Sequence, residues 1–144
     1  MKCQKLTPVL MVNNVNDSIA FYTDVLGFEL TLAVLEEGRD MITARNDTRP
    51  KVFAMLNKDE VEIMFETPGS FMESFADCKP GVSGGTVAAD TMMLYLDVDD
   101  VSQWAKSLEG KANIIKPLHD THYGRREVSI RDCNNTIITF SQNL

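Results

Sequence analysis

The chain has 144 residues, 44% of them hydrophobic and 24% charged, which is typical of one globular domain or two small halves. This balance excludes disordered and fibrous proteins, and no apolar run approaches the roughly 18 residues that a membrane helix needs. Fourteen basic and 21 acidic residues give a net charge of -7, which disfavours nucleic acid as a partner. The N-terminal lysines precede no apolar segment, so we expect a cytoplasmic protein with no signal peptide and no membrane partner.

The first predicted helix begins at Asn16 or Asp17, either of which can cap it, and ends at Gly27. Its apolar stripe has spacings of three and four residues and consists of Ile19, Tyr22 and Leu26.

The second predicted helix follows the same scheme, with Asp99 or Asp100 as the cap and Gly110 at the end. Its stripe repeats that of the first helix at one constant offset and consists of Val101, Trp104 and Leu108. Since short strands flank both helices in the same order, the sequence indicates a duplicated domain.

The apolar and alternating runs predict five strands in the first half and four in the second. Those of the first half are Leu6–Val12, Phe28–Leu35, Met41–Arg45, Lys51–Leu56 and Val61–Phe65. Those of the second half are Met92–Val98, Ala112–Lys116, Arg126–Arg131 and Thr136–Ser141.

We therefore divide the chain into a first module (1–67), a linker (68–90) and a second module (91–144). The linker contains a glycine-rich stretch, 81–86, and an apolar patch around Phe71 and Phe75 that is long enough for one helical turn. The glycine-rich stretch has no lysine and no strand-to-helix setting, so it is not expected to bind phosphate. A helix would cover one face of each sheet, and the opposite faces would enclose a ligand cavity.

The segments Ser18–Phe28 and Tyr123–Asp132 resemble the vicinal oxygen chelate superfamily of glyoxalase I, bleomycin-resistance proteins and extradiol dioxygenases. The resemblance implies an α+β fold in which two βαβββ modules pair their curved mixed sheets around a cavity, and many members are homodimers. It does not by itself imply one activity, because function lies in the site and not in the fold.

Metal-dependent members of this family hold a divalent cation with one residue from the first strand and one from the last strand of each module. The resemblance places these positions at Thr7, Glu62, Met93 and Thr139, of which Glu62 alone is a strong ligand. We therefore expect no metal and no other cofactor.

The three cysteines, Cys3, Cys78 and Cys133, are odd in number and distant in sequence, which favours free thiols in a reducing compartment. Both histidines, His119 and His122, are predicted in a loop between Pro117 and Gly124. They are interpreted as loop residues, with proton transfer or ligand contact as the alternative.

The neighbouring Arg125 and Arg126 are expected to pair with Glu127 or Asp132, or alternatively to bind an anionic group.

Glu62 and Glu127 are the carboxylates predicted to line the cavity, where a lone charge is costly unless it is satisfied. Glu62 has four open interpretations: an ion pair, a place at the rim, contact with a cationic ligand, or catalysis as a general base. Together with Tyr95 and Tyr123, the two carboxylates suit a planar cation. The full set of predicted ligand-binding residues is Glu62, Met64, Met93, Tyr95, His122, Tyr123, Glu127 and Thr139.

Three classes of function remain open. The favoured one is a metal-independent binding protein of the bleomycin-resistance type. It would sequester a small, cationic aromatic molecule in a cavity that is completed across the interface of a homodimer. The second is a glyoxalase-type lyase or isomerase, or a dioxygenase relative, that uses Glu62 with an atypical metal site. The third is a sensor or interaction module whose cavity is a relic.

Overall fold

A computed structural model of the chain describes residues 1, 4–74 and 92–144. Its elements fall into two units, Met1–Val87 and Ala88–Leu144. Cys3, Cys78, Phe75 and the glycine-rich stretch 81–86 lie outside the described residues.

The first unit contains a five-stranded mixed sheet in the order β1-β5-β4-β2-β3, with β1 parallel to β5 and the other pairs antiparallel. Its elements are β1 (Val9–Met11), α1 (Val15–Asp24), β2 (Glu29–Leu35), β3 (Met41–Ile42), β4 (Lys51–Lys58), β5 (Val61–Glu66) and α2 (Pro68–Ser74).

Helix α1 begins two residues earlier than the sequence predicts, because Asn14 and not Asn16 or Asp17 is its cap. The Asn14 side chain accepts a hydrogen bond from the Asp17 backbone N–H at 3.1 Å. Asn16 instead bonds the carbonyls of Thr48 and Arg49. It thereby ties the helix to the segment that precedes β4.

The predicted stripe of α1 does form the core of the first unit. The Tyr22 ring is buried and meets the rings of Phe28 and Phe65 edge-on, with centroids 5.5 and 4.8 Å apart. Gly27 ends the turn after the helix with φ +72°, a conformation that favours glycine.

Three predicted boundaries in the first unit are wrong. Leu6 is almost fully exposed and strand β1 begins at Val9, because pairing with β5 begins there. The third strand ends at Ile42 and not at Arg45. The segment from Pro68 forms a seven-residue helix, longer than the single turn expected of the linker.

The second unit contains a four-stranded mixed sheet in the order β6-β9-β8-β7, with β6 parallel to β9 and the other pairs antiparallel. Its elements are β6 (Met93–Asp97), α3 (Val101–Leu108), β7 (Asn113–Asp120), β8 (Arg125–Arg131) and β9 (Ile137–Asn143).

Strand β7 passes through Pro117, where the sequence predicts a break. Proline is tolerated because β7 is an edge strand and the register is irregular between Lys116 and His119. The prediction that both histidines lie in one loop is therefore wrong. His119 belongs to the strand and His122 to the turn that follows it.

Helix α3 begins at its predicted cap, Asp100, whose side chain accepts from the Gln103 N–H at 2.9 Å. Trp104 stacks on Phe140 with ring centroids 4.5 Å apart, which fixes the helix on one face of the sheet. The α+β class with two mixed sheets is thus confirmed. No helix in the described ranges is long and apolar enough to cross a membrane.

Candidate functional site

The face of the second sheet that α3 leaves uncovered is polar, and we call it the polar face. Successive residues of a strand point to opposite faces of the sheet. The buried apolar residues on the face that α3 covers, such as Val128, Ile138 and Phe140, therefore alternate with polar residues on the other face. The polar face carries Tyr95, Glu127, Ser129, Thr139 and Ser141.

The Glu127 carboxylate is the centre of this face. The residue is 4% exposed, and its oxygen Oε1 accepts hydrogen bonds from Tyr95 Oη at 2.5 Å, Tyr123 Oη at 3.1 Å and Ser141 Oγ at 3.2 Å. The single Tyr123 hydroxyl hydrogen is shared with Oε2, also at 3.1 Å. Hydroxyl donors thus hold the carboxylate without neutralising its charge.

The same contacts set the ionisation state of the cluster. Burial alone would raise the pKa of Glu127, but the hydrogen bonds from Tyr95, Tyr123 and Ser141 lower it below the ordinary value. Burial and the neighbouring Glu127 raise the pKa of Tyr123. At neutral pH the Glu127 carboxylate is therefore ionised and the Tyr123 phenol is neutral.

Arg125 lies beside the cluster but its charge is compensated. Its guanidinium forms an ion pair with Asp97, donates to Asn143 Oδ1 at 2.7 Å and donates from Nε to Ser141 Oγ at 2.6 Å. It also lies 5.7 Å from the centroid of the Tyr95 ring. The expectation that Arg125 and Arg126 pair with Glu127 or Asp132 is wrong, since Arg126 pairs with Asp120.

The remaining predicted residues of this unit lie around the cluster. Thr139 is buried and hydrogen-bonded to Ser129 at 2.9 Å, and its hydroxyl lies 3.4 Å from the sulfur of Met93, which is exposed. His122 is exposed and meets the Tyr123 ring edge-on with centroids 5.0 Å apart.

His119 is the register partner of Glu127 on the neighbouring strand. Its Nδ1 lies 2.9 Å from the Pro117 carbonyl oxygen, and a carbonyl can only accept. Nδ1 therefore carries the hydrogen. Its Nε2 is buried and has no hydrogen-bond partner among the residues that the structure describes.

The first unit contains the other predicted carboxylate, Glu62, in a different setting. Lys5 Nζ lies 3.0 Å from its Oε1, Thr7 Oγ1 donates to the same oxygen at 2.9 Å, and Asn57 donates to Oε2 at 3.5 Å. The hydrogen bonds from Lys5 and Thr7 lower the pKa of Glu62. The residue is thus an ion-pair partner, one of its four open interpretations.

The face of the first sheet that α1 leaves uncovered is mostly apolar, and we call it the methionine face. One row of register partners crosses four strands, with residues that are half-buried except for the more exposed Val9. This row consists of Val9, Met64, Met55 and Leu32.

The positions at which the family resemblance would place metal ligands do not fit an ion here. The Glu62 carboxylate is already paired with the ammonium group of Lys5. Thr139 offers only a hydroxyl, which is hydrogen-bonded to Ser129. The described ranges contain no group of three or more His, Cys, Asp or Glu side chains that could hold a metal.

Two residues with buried polar contacts are absent from the predicted site. Ser141 contacts Glu127, and the alternation of Thr139 and Ser141 in β9 was the available signal. Lys51 is 5% exposed and donates to the carbonyls of Asp47 at 2.6 Å and Arg49 at 2.9 Å, and burial lowers its pKa. It lines a polar cavity of about 230 Å³ next to α1, which no sequence pattern indicates.

Several solved structures share this fold at low sequence identity. TioX from Micromonospora sp. ML1 has 19% identity and a TM-score of 0.70, with 99% of this chain and 100% of that chain covered. The bleomycin-binding protein from bleomycin-producing Streptomyces verticillus, solved with copper(II)-bleomycin, has 17% identity and a TM-score of 0.63, with 100% and 99% covered. A glyoxalase/bleomycin resistance protein/dioxygenase from Nocardioides has 15% identity and a TM-score of 0.72, with 100% and 86% covered.

Comparison with curated proteins gives no match. The sequence model of one family, however, matches residues 6–139, which is nearly the whole chain. The chain belongs to the glyoxalase/bleomycin resistance protein/dioxygenase superfamily, also known as the vicinal oxygen chelate superfamily.

Proposed function

We propose that the chain binds and sequesters a small aromatic cation on the polar face, without a metal ion and without covalent chemistry. One observation carries the proposal. Two tyrosine rings that are 46% and 57% exposed, Tyr95 and Tyr123, are both anchored through their hydroxyls to one buried, ionised carboxylate. Ring faces attract a cation by their quadrupole, and the carboxylate adds a full negative charge.

The chemistry of the cluster supports binding more than turnover. The donors on Glu127 within the described part of the chain are hydroxyls that keep it ionised, and the residues at the metal positions do not fit an ion. A glyoxalase-type lyase would need a free Glu62 carboxylate, whereas here it is paired with Lys5. Turnover of a methylglyoxal–glutathione adduct by purified protein would revive the enzymatic alternative.

The test is a calorimetric titration of the protein with benzamidine, an aromatic cation, in the presence and absence of EDTA. We expect saturable binding that EDTA does not change and a melting temperature that rises with benzamidine concentration, because the ligand binds the native state. Glu127→Gln should abolish binding. Binding that EDTA removes would overturn the metal-free part of the proposal, and no binding would overturn the whole.

We propose further that the protein acts in the cytoplasm as a two-fold homodimer whose partner helps to close the site. Support comes from the odd number of cysteines and from the family resemblance. Light scattering at micromolar concentration should give twice the mass of the chain, and a monomer would contradict the assembly.

A further inference from the structure

We infer that the ligand of the polar face is an N–H-bearing cation, such as an amidinium, guanidinium or primary ammonium, and that His119 selects it. This inference rests on the proposed function and specifies the chemical class of ligand. It follows from counting which lone pairs of the cluster are occupied.

The first open lone pairs belong to Glu127. Its Oε1 accepts from three hydroxyls, whereas Oε2 accepts, among the described residues, only the hydrogen that Tyr123 shares between both oxygens. The two oxygens together offer about four lone-pair sites, and the three hydroxyl hydrogens leave one of these sites, on Oε2, open to another donor.

The second open lone pair belongs to His119. Since Nδ1 donates to Pro117, the neutral ring has its lone pair on Nε2, which is buried and unpartnered within the described part of the chain. His119 and Glu127 are register partners, and directly opposed side chains on neighbouring strands project from the same face. Two acceptors on one face call for a ligand with two donors.

The charge of the surroundings agrees with a cationic donor. Arg125, the cation in contact with the cluster, has its guanidinium held by Asp97, Asn143 and Ser141. The group formed by Glu127, Arg125 and Asp97 therefore carries one net negative charge. A quaternary ammonium ion would satisfy that charge but would offer no N–H to the open sites on Oε2 and Nε2, which is unfavourable for buried polar atoms.

The experiment compares two aromatic cations of equal charge, benzamidine and phenyltrimethylammonium, by calorimetric titration at neutral pH. The first has N–H donors and the second has none. We expect benzamidine to bind at least about tenfold more tightly, the difference that one or two net hydrogen bonds make. Equal affinities would overturn the inference and leave the proposed function standing, while binding of neither cation would overturn both.

Variants of β7 assign the preference to His119. His119→Phe removes the acceptor and should reduce the preference for benzamidine to less than about threefold. His119→Gln supplies an amide oxygen and should retain most of it. Leu118→Phe places the same ring on the neighbouring exposed residue and serves as the matched control, with the preference unchanged. Melting curves confirm that each variant folds, and an unchanged preference in folded His119→Phe would overturn the role of His119.

Discussion

The two sheets are built alike but their helix-free faces have opposite chemistry. In each unit the first strand pairs in parallel with the last strand of its sheet, and one helix covers one face. The methionine face of the first unit is largely apolar, with Met55 and Met64 at its centre. The polar face of the second unit instead buries a carboxylate, Glu127.

The two faces also treat their carboxylates differently, and this difference bears on function. Glu62 is paired with the ammonium group of Lys5, so its charge is already compensated. Glu127 is held by the hydroxyls of Tyr95, Tyr123 and Ser141, which donate hydrogen bonds to it and leave its charge in place. A carboxylate attracts a cationic ligand strongly only when no neighbouring cation compensates its charge. The comparison therefore supports the proposal that the second unit recognises the ligand.

The largest expected effect is that of Glu127→Gln. The amide keeps the size of the side chain but cannot accept all three hydroxyl hydrogens, and it removes the charge. We expect the free energy of unfolding to fall by about 2 kcal/mol and benzamidine binding to be lost. Urea unfolding and calorimetric titration measure the two quantities. A variant that binds as the wild type does would break the comparison between the two faces.

Acid should weaken the fold through the same carboxylate. Since the folded-state pKa of Glu127 is below its ordinary value of 4.5, the unfolded chain binds more protons as the pH falls. This contribution to stability is fully present above about pH 5 and is lost as the pH falls through the folded-state pKa. Urea midpoints between pH 6 and pH 3 should fall less steeply for Glu127→Gln than for the wild type. Parallel curves would contradict the role of Glu127.

Tyr95→Phe should have a smaller effect, because it removes one donor and keeps the ring. We expect a loss of about 1 kcal/mol in the free energy of unfolding. Tyr123→Phe should cost less, since that hydroxyl divides one hydrogen between two oxygens and its residue is more exposed. Urea unfolding of both variants checks the order, and a reversed order would show that the shared hydrogen bond matters more.

Glu62→Gln should have the smallest effect and is the matched control for Glu127→Gln. Its partner Lys5 has a side chain that is 51% exposed, and exposed ion pairs are screened by water and salt. We expect nearly unchanged benzamidine affinity and a slight change in melting temperature that disappears at high salt. A large loss of affinity would instead make Glu62 a ligand contact.

The fold could be predicted from the sequence because its signals are local and repeated. The stripes at Tyr22 and Leu108 and the turn at Gly27 follow from spacing and backbone preference. Boundaries that depend on pairing could not be predicted. Pro117 reads as a break in the sequence, but it lies in an edge strand whose outer side needs no N–H donor.

The site could be predicted only as a set of residue types. The sequence predicts one set of Glu62, Tyr95, Tyr123 and Glu127, and the structure joins the last three of these in one hydrogen-bonded cluster. The pairing of Glu62 with Lys5 and the orientation of His119 depend on contacts between strands, which no spacing along the chain encodes.

The most direct test of the central claim is an NMR titration with benzamidine that follows the ring resonances of Tyr95 and Tyr123 and the methyl resonances of Met55 and Met64. We predict saturable shifts of both tyrosines, together with the backbone amides around Glu127, at concentrations that leave both methionine methyls unmoved. Shifts of the methionine methyls with the tyrosine rings unchanged would contradict the claim that the polar face is the binding site.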